Sequence, residues 1–162
     1  MDSKRQFEPT DLDWAKLAAY IDGEDCINIT LRQREQGVWH WQAFDILITV
    51  ANTDIRLPNW CRDHFGGEVK LAYPEHYRKN HKACHVWRVH GKACEWILAG
   101  ILGHSVIKRE QIEIGLAYTA TMRGYQGHRK PVPEEMKQIR RKAFTELRDI
   151  KSTGRVDLET IQ

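Results

Sequence analysis

The sequence predicts an α+β fold with the order α-β-β-α-β-β-α-α, followed by one more helix. Three observations predict it. Residues 26–35 (CINITLRQRE) alternate apolar and polar side chains, the period of a strand with one buried and one wet face. Residues 11–22 and 134–150 place apolar side chains three and four apart, the period of a helix packed on one side. Gly23, Gln36-Gly37, Gly66-Gly67 and Gly103 punctuate the chain between the periodic stretches.

Leu12, Ala15, Leu17, Ala18, Ala19 and Ile21 make the first helix, with Asp11 or Asp13 as its cap and Gly23 as its terminator. On the first strand Ile27, Ile29 and Leu31 face inward, while Cys26, Asn28, Thr30, Arg32 and Arg34 face outward. A second strand over 39–51 turns Phe44, Ile46, Ile48 and Val50 inward and Asp45, Leu47 and Thr49 outward. Trp39 and Trp41 share that outward parity and fit packing against loops equally well. Asn52-Thr53-Asp54 reads as the cap of a helix over 54–65, with Pro58 held to its first turn. Strands over 68–73 and 82–90 flank a polar loop, and helices over 92–102 and 107–122 follow. The last helix, 134–150, carries Met136, Ile139, Ala143, Phe144 and Leu147 as an apolar stripe and reads as a packing helix with a solvated outer face. This divides the chain into a core domain, 1–127, and a basic helical extension, 128–162.

A chain of 162 residues with 41% hydrophobic and 29% charged side chains suffices for one core-bearing domain and is unlike a disordered chain. No apolar run approaches the roughly 18 residues that cross a bilayer. The first twelve residues are polar, without the apolar stretch of a secretory signal, so the expectation is a protein working inside a cell or organelle, with no membrane and no small-molecule cofactor. Net charge is +3, but residues 1–25 hold seven acids against three bases, so the remainder carries +7. Residues 76–92 hold five Lys or Arg, four His and no acid. A basic body of this kind suits a polyanion. Cys26, Cys61, Cys84 and Cys94 form no CxxC pair and are expected to be reduced. Cys61-x-x-His64 and His81-x-x-Cys84 have a zinc-like spacing, but residues three apart on a strand point to opposite faces, which argues against zinc.

Chemistry concentrates where the first helix meets the first strand, Leu17-Ala18-Ala19-Tyr20-Ile21-Asp22-Gly23-Glu24-Asp25-Cys26-Ile27. Small residues on the helix allow close approach of another backbone, carboxylates gather at the helix end, and a strand with a polar, cationic face begins at once. The nine residues LAAYIDGED resemble the LAGLIDADG motif of homing endonucleases. Leu17, Ala18, Ile21 and Asp22 match outright, Ala19 replaces a glycine, and Glu24 falls on the family's metal-binding acid. Asp25 departs from the pattern, since glycine normally closes the motif. Residues 49–54 (TVANTD), 65–69 (FGGEV) and 106–111 (VIKREQ) also look like family sequence, and the resemblance spans about residues 12–122.

The resemblance implies an αββαββα fold with an antiparallel, saddle-shaped sheet lying over the major groove of double-stranded DNA. It implies a site-specific endonuclease that hydrolyses phosphodiesters with magnesium or manganese. Glu24 would supply the metal carboxylate and Gly23 or Asp25 a backbone carbonyl, donors that suit a hard cation. Lys108 matches a lysine near the scissile phosphate. Asn52 matches a polar position near the metals and fits a plain helix cap equally well. One motif per chain implies a homodimer packed through the first helix, with Trp14, Leu17, Ala18 and Ile21 at the contact. Base contacts would come from Asn28, Thr30, Arg32, Arg34, Asp45, Thr49, Lys70, His85 and Trp87, with asparagine suited to adenine and arginine to guanine. Arg78, Lys79 and Lys82 would hold phosphates. The rival reading is a protein of the same fold that binds DNA or RNA without cutting, and Asp25 is the feature that favours it. A third is an interaction domain that binds no nucleic acid.

Overall fold

The structure is a computed structural model that describes residues 5–23, 26–36, 39–74, 79–123 and 132–153, with backbone alone for 33–36, 39–42 and 153. In chain order the elements are α1 (Asp11–Gly23), β1 (Cys26–Gln36), β2 (Trp39–Asn52), α2 (Arg56–Phe65), β3 (Glu68–Tyr73), β4 (Cys84–His90), α3 (Ala93–Leu102), α4 (Arg109–Ala120) and α5 (Glu134–Thr153). The predicted order holds throughout. The four strands form one antiparallel sheet in the order β1-β2-β4-β3, so the two hairpins meet through β2 and β4.

All five helices contribute to a single core against one face of this sheet. Ile27, Ile29, Ile46, Ile48, Val50, Trp87 and Val89 supply the sheet side, and Leu17, Ala18, Ile21, Phe65, Ile97, Leu98, Ile101 and Ile112 are among the helix residues that cover it. The alternation read from 26–35 and 44–50 is thus the alternation between this core and the outer face. Each fully buried Ile or Leu is worth about 1.5–3 kcal/mol against exposure. Among the described residues no helix of this core covers the outer face of the sheet, and polar side chains run along it.

Helix ends differ in detail from the sequence reading. Neither Asp11 nor Asp13 caps α1. Thr10 does, its backbone N and hydroxyl donating to Asp13 Oδ2 at 2.9 and 2.7 Å while Asp13 N donates to Thr10 Oγ1 at 3.3 Å, a reciprocal capping box. The Thr10 hydroxyl, then the backbone amide, hold the Asp13 carboxyl below its ordinary value. α4 begins at Arg109, with Lys108 immediately before it. β4 begins at Cys84, which leaves Lys82 in the preceding loop.

Helix α5 packs as expected. Ala143 and Leu147 are buried, the Phe144 and Phe44 rings lie 5.6 Å apart, and Arg140 donates to Thr121 Oγ1 at 2.8 Å. The expected boundary at 127/128 lies outside the described residues. No helix among the described residues is long and apolar enough to cross a membrane.

Candidate active site and the outer face of the sheet

Asp22 lies in the last turn of α1 and accepts four hydrogen bonds from the loop leading into α4. The donors are Ser105 Oγ at 2.6 Å and the backbone amides of Val106, Lys108 and Ile107 at 2.7, 3.0 and 3.3 Å. These amides precede α4, which begins at Arg109, so Asp22 ties the loop that delivers α4 to the end of α1. Burial pushes the Asp22 carboxyl up, but the Ser105 hydroxyl and the three amides outweigh it and hold the group below the usual carboxylate value. With four donors on its two oxygens, Asp22 has little left for a cation.

This clamp fixes Lys108. Its backbone is held to Asp22, and its ammonium donates to the Ile21 carbonyl at the C-terminal end of α1. A lysine there satisfies a helix-end carbonyl and complements the negative end of the helix. The charge therefore stands where the chain passes from Ile21 through Gly23 toward residues 24 and 25. Glu24 and Asp25 themselves lie outside the described residues. Gly23 is exposed, and a Cβ added to it would meet nothing within 4 Å. Among the described residues no three His, Cys, Asp or Glu side chains cluster to hold a metal. A cation at this end would draw on oxygen donors, the motif acids and backbone carbonyls, a set of the kind that suits magnesium.

Asn52 ends β2, and its Oδ1 accepts the Asp54 amide at 2.8 Å. Asp54 in turn accepts the Arg56 amide at 3.0 Å, and the Arg56 guanidinium lowers the Asp54 carboxyl to about 2. Asn52 thus works as a turn residue leading into α2.

The outer face carries a row of charges that crosses all four strands. Arg32 of β1 donates to Asp45 of β2 at 2.8 Å. His90 of β4 stands 3.7 Å from Asp45 and 3.9 Å from Glu68 of β3, and Glu68 pairs with Lys70 at 2.8 Å. Thr30 is exposed beside Asp45. Thr49 lies opposite Cys26 on one side and Arg88 on the other. Lys79 and Lys82 are exposed in the β3–β4 loop. Arg78 and the side chains of Arg34, Trp39 and Trp41 lie outside the described residues.

Two expected readers belong to the other face. Trp87 is fully buried, and its indole N–H donates to the Gly66 carbonyl at 2.6 Å. It pairs with Val50, and His85 pairs with Asn52, so both carry the helix-side parity of β2. His85 Nδ1 is buried and has no hydrogen-bond partner among the described residues. The outward parity of β4 belongs instead to Val86, Arg88 and His90, of which the last two are polar. The Arg88 Nε is enclosed and has no hydrogen-bond partner among the described residues. Valines at 86 and 89 and the tryptophan at 87 put apolar side chains on both parities, which hid the answer. The signal that does find it is the sole Lys or Arg of the strand, Arg88, which a buried face would not accept.

The expected dimer contact also needs correction. Leu17, Ala18 and Ile21 are fully buried in the chain's own core. Trp14 packs on Phe65 and Trp96 at 4.9 and 4.7 Å and covers Gly100, where a Cβ would overlap its ring. The face of α1 turned to solvent is Leu12, Lys16, Ala19, Tyr20 and Gly23. The inward stripe of any helix satisfies its own core first, and the motif's small residue at Ala18 gave no hint of which partner it served.

No protein-family model matches the sequence, and no match was found among curated proteins. Solved structures do match. The homing endonuclease I-CvuI, in complex with a DNA target in the presence of magnesium, aligns with a TM-score of 0.57 and 18% identity over 84% of this chain and 94% of its own. The LAGLIDADG homing endonuclease I-GzeII, in complex with its DNA target, aligns with a TM-score of 0.58 and 13% identity over 91% of this chain and 49% of its own. The archaeal intron-encoded homing endonuclease I-Vdi141I, complexed with DNA, aligns with a TM-score of 0.50 and 14% identity over 82% and 97%. The fold is that of the LAGLIDADG homing endonucleases. This chain spans nearly the whole of I-CvuI and about half of I-GzeII.

Proposed function

We propose that this chain is a LAGLIDADG homing endonuclease that makes a double-strand break in a near-palindromic DNA site as a homodimer. The observation that carries the reading is the Asp22–Lys108 clamp, which brings a lysine from α4's start to the end of the motif helix. A lysine far away in sequence is thereby held beside the chain's entry to the motif acid, where phosphodiester hydrolysis needs positive charge. DNA-bound I-CvuI and I-GzeII share the fold and support a duplex as the partner.

In this reading Glu24 holds magnesium or manganese together with a carbonyl of Gly23 or Asp25. Such a metal stabilises the leaving oxygen and lowers the pKa of a bound water. Lys108 keeps its ammonium at the helix end and offsets charge that develops on the scissile phosphate. Asn52, its oxygen engaged by Asp54, keeps its NH2 for an ordered water. On the outer face Arg32, Arg34, Thr30, Thr49, Lys70 and Arg88 meet base edges in the major groove, while Asp45 orients Arg32. Arg78, Lys79 and Lys82 hold phosphates and set position. Residues 1–127 form the catalytic core, with 128–162 as a basic extension packed on it. The protein acts where its DNA is, inside a cell or organelle.

A single motif gives one Glu24 per chain, so a second copy is needed to cut both strands. The solvent-facing side of α1, with Ala19 and Gly23 four residues apart, allows the close helix contact this requires. The test is a selection from a randomised duplex library with magnesium, read for both binding and cutting. The expected result is a near-palindromic site cut by the wild type and bound but uncut by Glu24→Gln. Binding with no cutting by the wild type would establish the non-cleaving reading that Asp25 favours, and an absence of binding would reject both.

A further inference from the structure

The end of α5 reaches the free edge of the sheet beside the motif. β1 is an edge strand, and Lys151 meets it at its first residues. The Lys151 ammonium donates to Cys26 Sγ at 2.9 Å, to the Ile27 carbonyl at 2.5 Å and to Asn28 Oδ1. An ammonium has three donors and no acceptor, and all three are engaged here. Lys151 therefore has nothing left for a phosphate. What it does instead is fix Asn28. Because the lysine can only donate, the amide oxygen of Asn28 must face it, and the NH2 must face away. Asn28 has outward parity, between the motif turn and Thr30, and its NH2 donates to no acceptor among the described residues.

We infer that Lys151 sets the base preference of Asn28, turning its oxygen to the lysine and its NH2 away, so that it favours a keto base over adenine. This rests on the outer face reading duplex DNA, as set out above. A free asparagine matches adenine because it accepts from N6 and donates to N7 at once. The Lys151 bond takes one of the two lone pairs of Oδ1 and sets the direction of that oxygen, which weakens the two-bond match to adenine. The NH2 can donate to guanine O6 and N7 or to thymine O4; on adenine it reaches N7 alone and opposes the N6 amino group, and it opposes the amino group of cytosine. The C-terminal helix is thus a positioning element for recognition, acting through Asn28 and not through its own contact with DNA. Sequence reading assigned Asn28 to adenine because residue type alone gives the amide both halves of its hydrogen-bonding capacity.

The experiment is the same duplex selection on full-length protein, scored for binding. Asn28→Ala identifies the position that Asn28 reads as the one whose preference it flattens. There the wild type is expected to favour guanine or thymine over adenine about fivefold or more. Lys151→Met, checked for folding by circular dichroism, is expected to move that position toward adenine and leave the other positions as they were. A wild-type preference for adenine overturns the inference, as does a preference that Lys151→Met leaves unchanged. If Lys151→Met does not fold, the wild-type comparison of keto base with adenine still decides. Failure of the wild type to bind any duplex is a different outcome, since it rejects the DNA reading itself.

Discussion

Asp22 accepts the Lys108 backbone amide at 3.0 Å while the Lys108 ammonium returns to the Ile21 carbonyl, so the two residues tie the end of α1 to the start of α4 in both directions. The Lys108 ammonium is thereby held at the end of α1.

Lys108→Met is expected to keep the bond from its backbone amide to Asp22 and to lose the ammonium with its bond to the Ile21 carbonyl. If the ammonium stabilises developing phosphate charge, cleavage falls about 10²–10³-fold, the size of losing one preorganised donor. Duplex affinity should change little, since one cation among many contacts is removed. Cleavage rates under single turnover, with binding measured in parallel, check this. An equal loss in both would make Lys108 an ordinary phosphate contact.

Asp22 makes the fold acid-sensitive in a defined way. Its folded carboxyl titrates below the free value of about 3.9, so the stability it contributes is fully present above that value. That stability is lost as pH falls through the lower folded value. Asn replaces one of the two accepting oxygens with an NH2 that faces donors, so Asp22→Asn should cost about 1–3 kcal/mol at pH 7. Urea melts from pH 6 to pH 2.5 should then show a shallower acid decline in Asp22→Asn than in the wild type. Parallel declines would mean that other carboxylates carry the effect.

The two sides of α1 should separate stability from assembly. Leu17→Ala empties a fully buried site and should cost about 2–5 kcal/mol in a thermal or urea melt. Ala19→Leu adds bulk on the exposed side, so it should leave the protomer's melting intact and weaken the dimer. Sedimentation velocity across a concentration series reads the second effect. A dimer disturbed by neither would place the interface elsewhere than α1.

Periodicity made most of the fold legible. In β1 and β2 the polar and apolar sets are cleanly separated, so Ile27, Ile29, Ile46, Ile48 and Val50 could be sent inward without coordinates. β4 defeated simple alternation because Val86, Trp87 and Val89 populate both parities; Arg88 marks the outer parity, and pairing with Val50 puts Trp87 inside. Long-range polar contacts were equally invisible. Nothing in the spacing of Asp22 and Lys108, or of Asn28 and Lys151, says that they touch, because helix packing and not local chain geometry brings them together. The motif match found Lys108 by its surroundings in sequence. Lys151 had no such flag, and its helix read as packing alone.

Trp87 and Arg88 offer a direct test of the corrected parity. Trp87→Ala should destabilise by about 3–5 kcal/mol, through lost packing and a Gly66 carbonyl left without its donor. Arg88→Ala should leave the melt close to wild type and relax selection at one position of the duplex. The reverse pattern, with a stable Trp87 variant that loses specificity, would restore the tryptophan as a reader.

Arg32 and Asp45 pair across β1 and β2 on the outer face. Arg32 is well exposed and spends one donor on Asp45, which leaves most of its five N–H groups for a guanine edge. An exposed ion pair of this kind contributes at most about 1 kcal/mol to folding, so neither partner should matter much to stability. Their coupling should appear in recognition. Arg32→Ala is expected to cost about 1–3 kcal/mol at one guanine-preferring position. Asp45→Ala frees the guanidinium to swing and should blur the same position, with little further loss once Arg32 is gone. A double-mutant cycle on binding to matched and mismatched duplexes measures this, and additive losses would mean that Asp45 contacts a base on its own account.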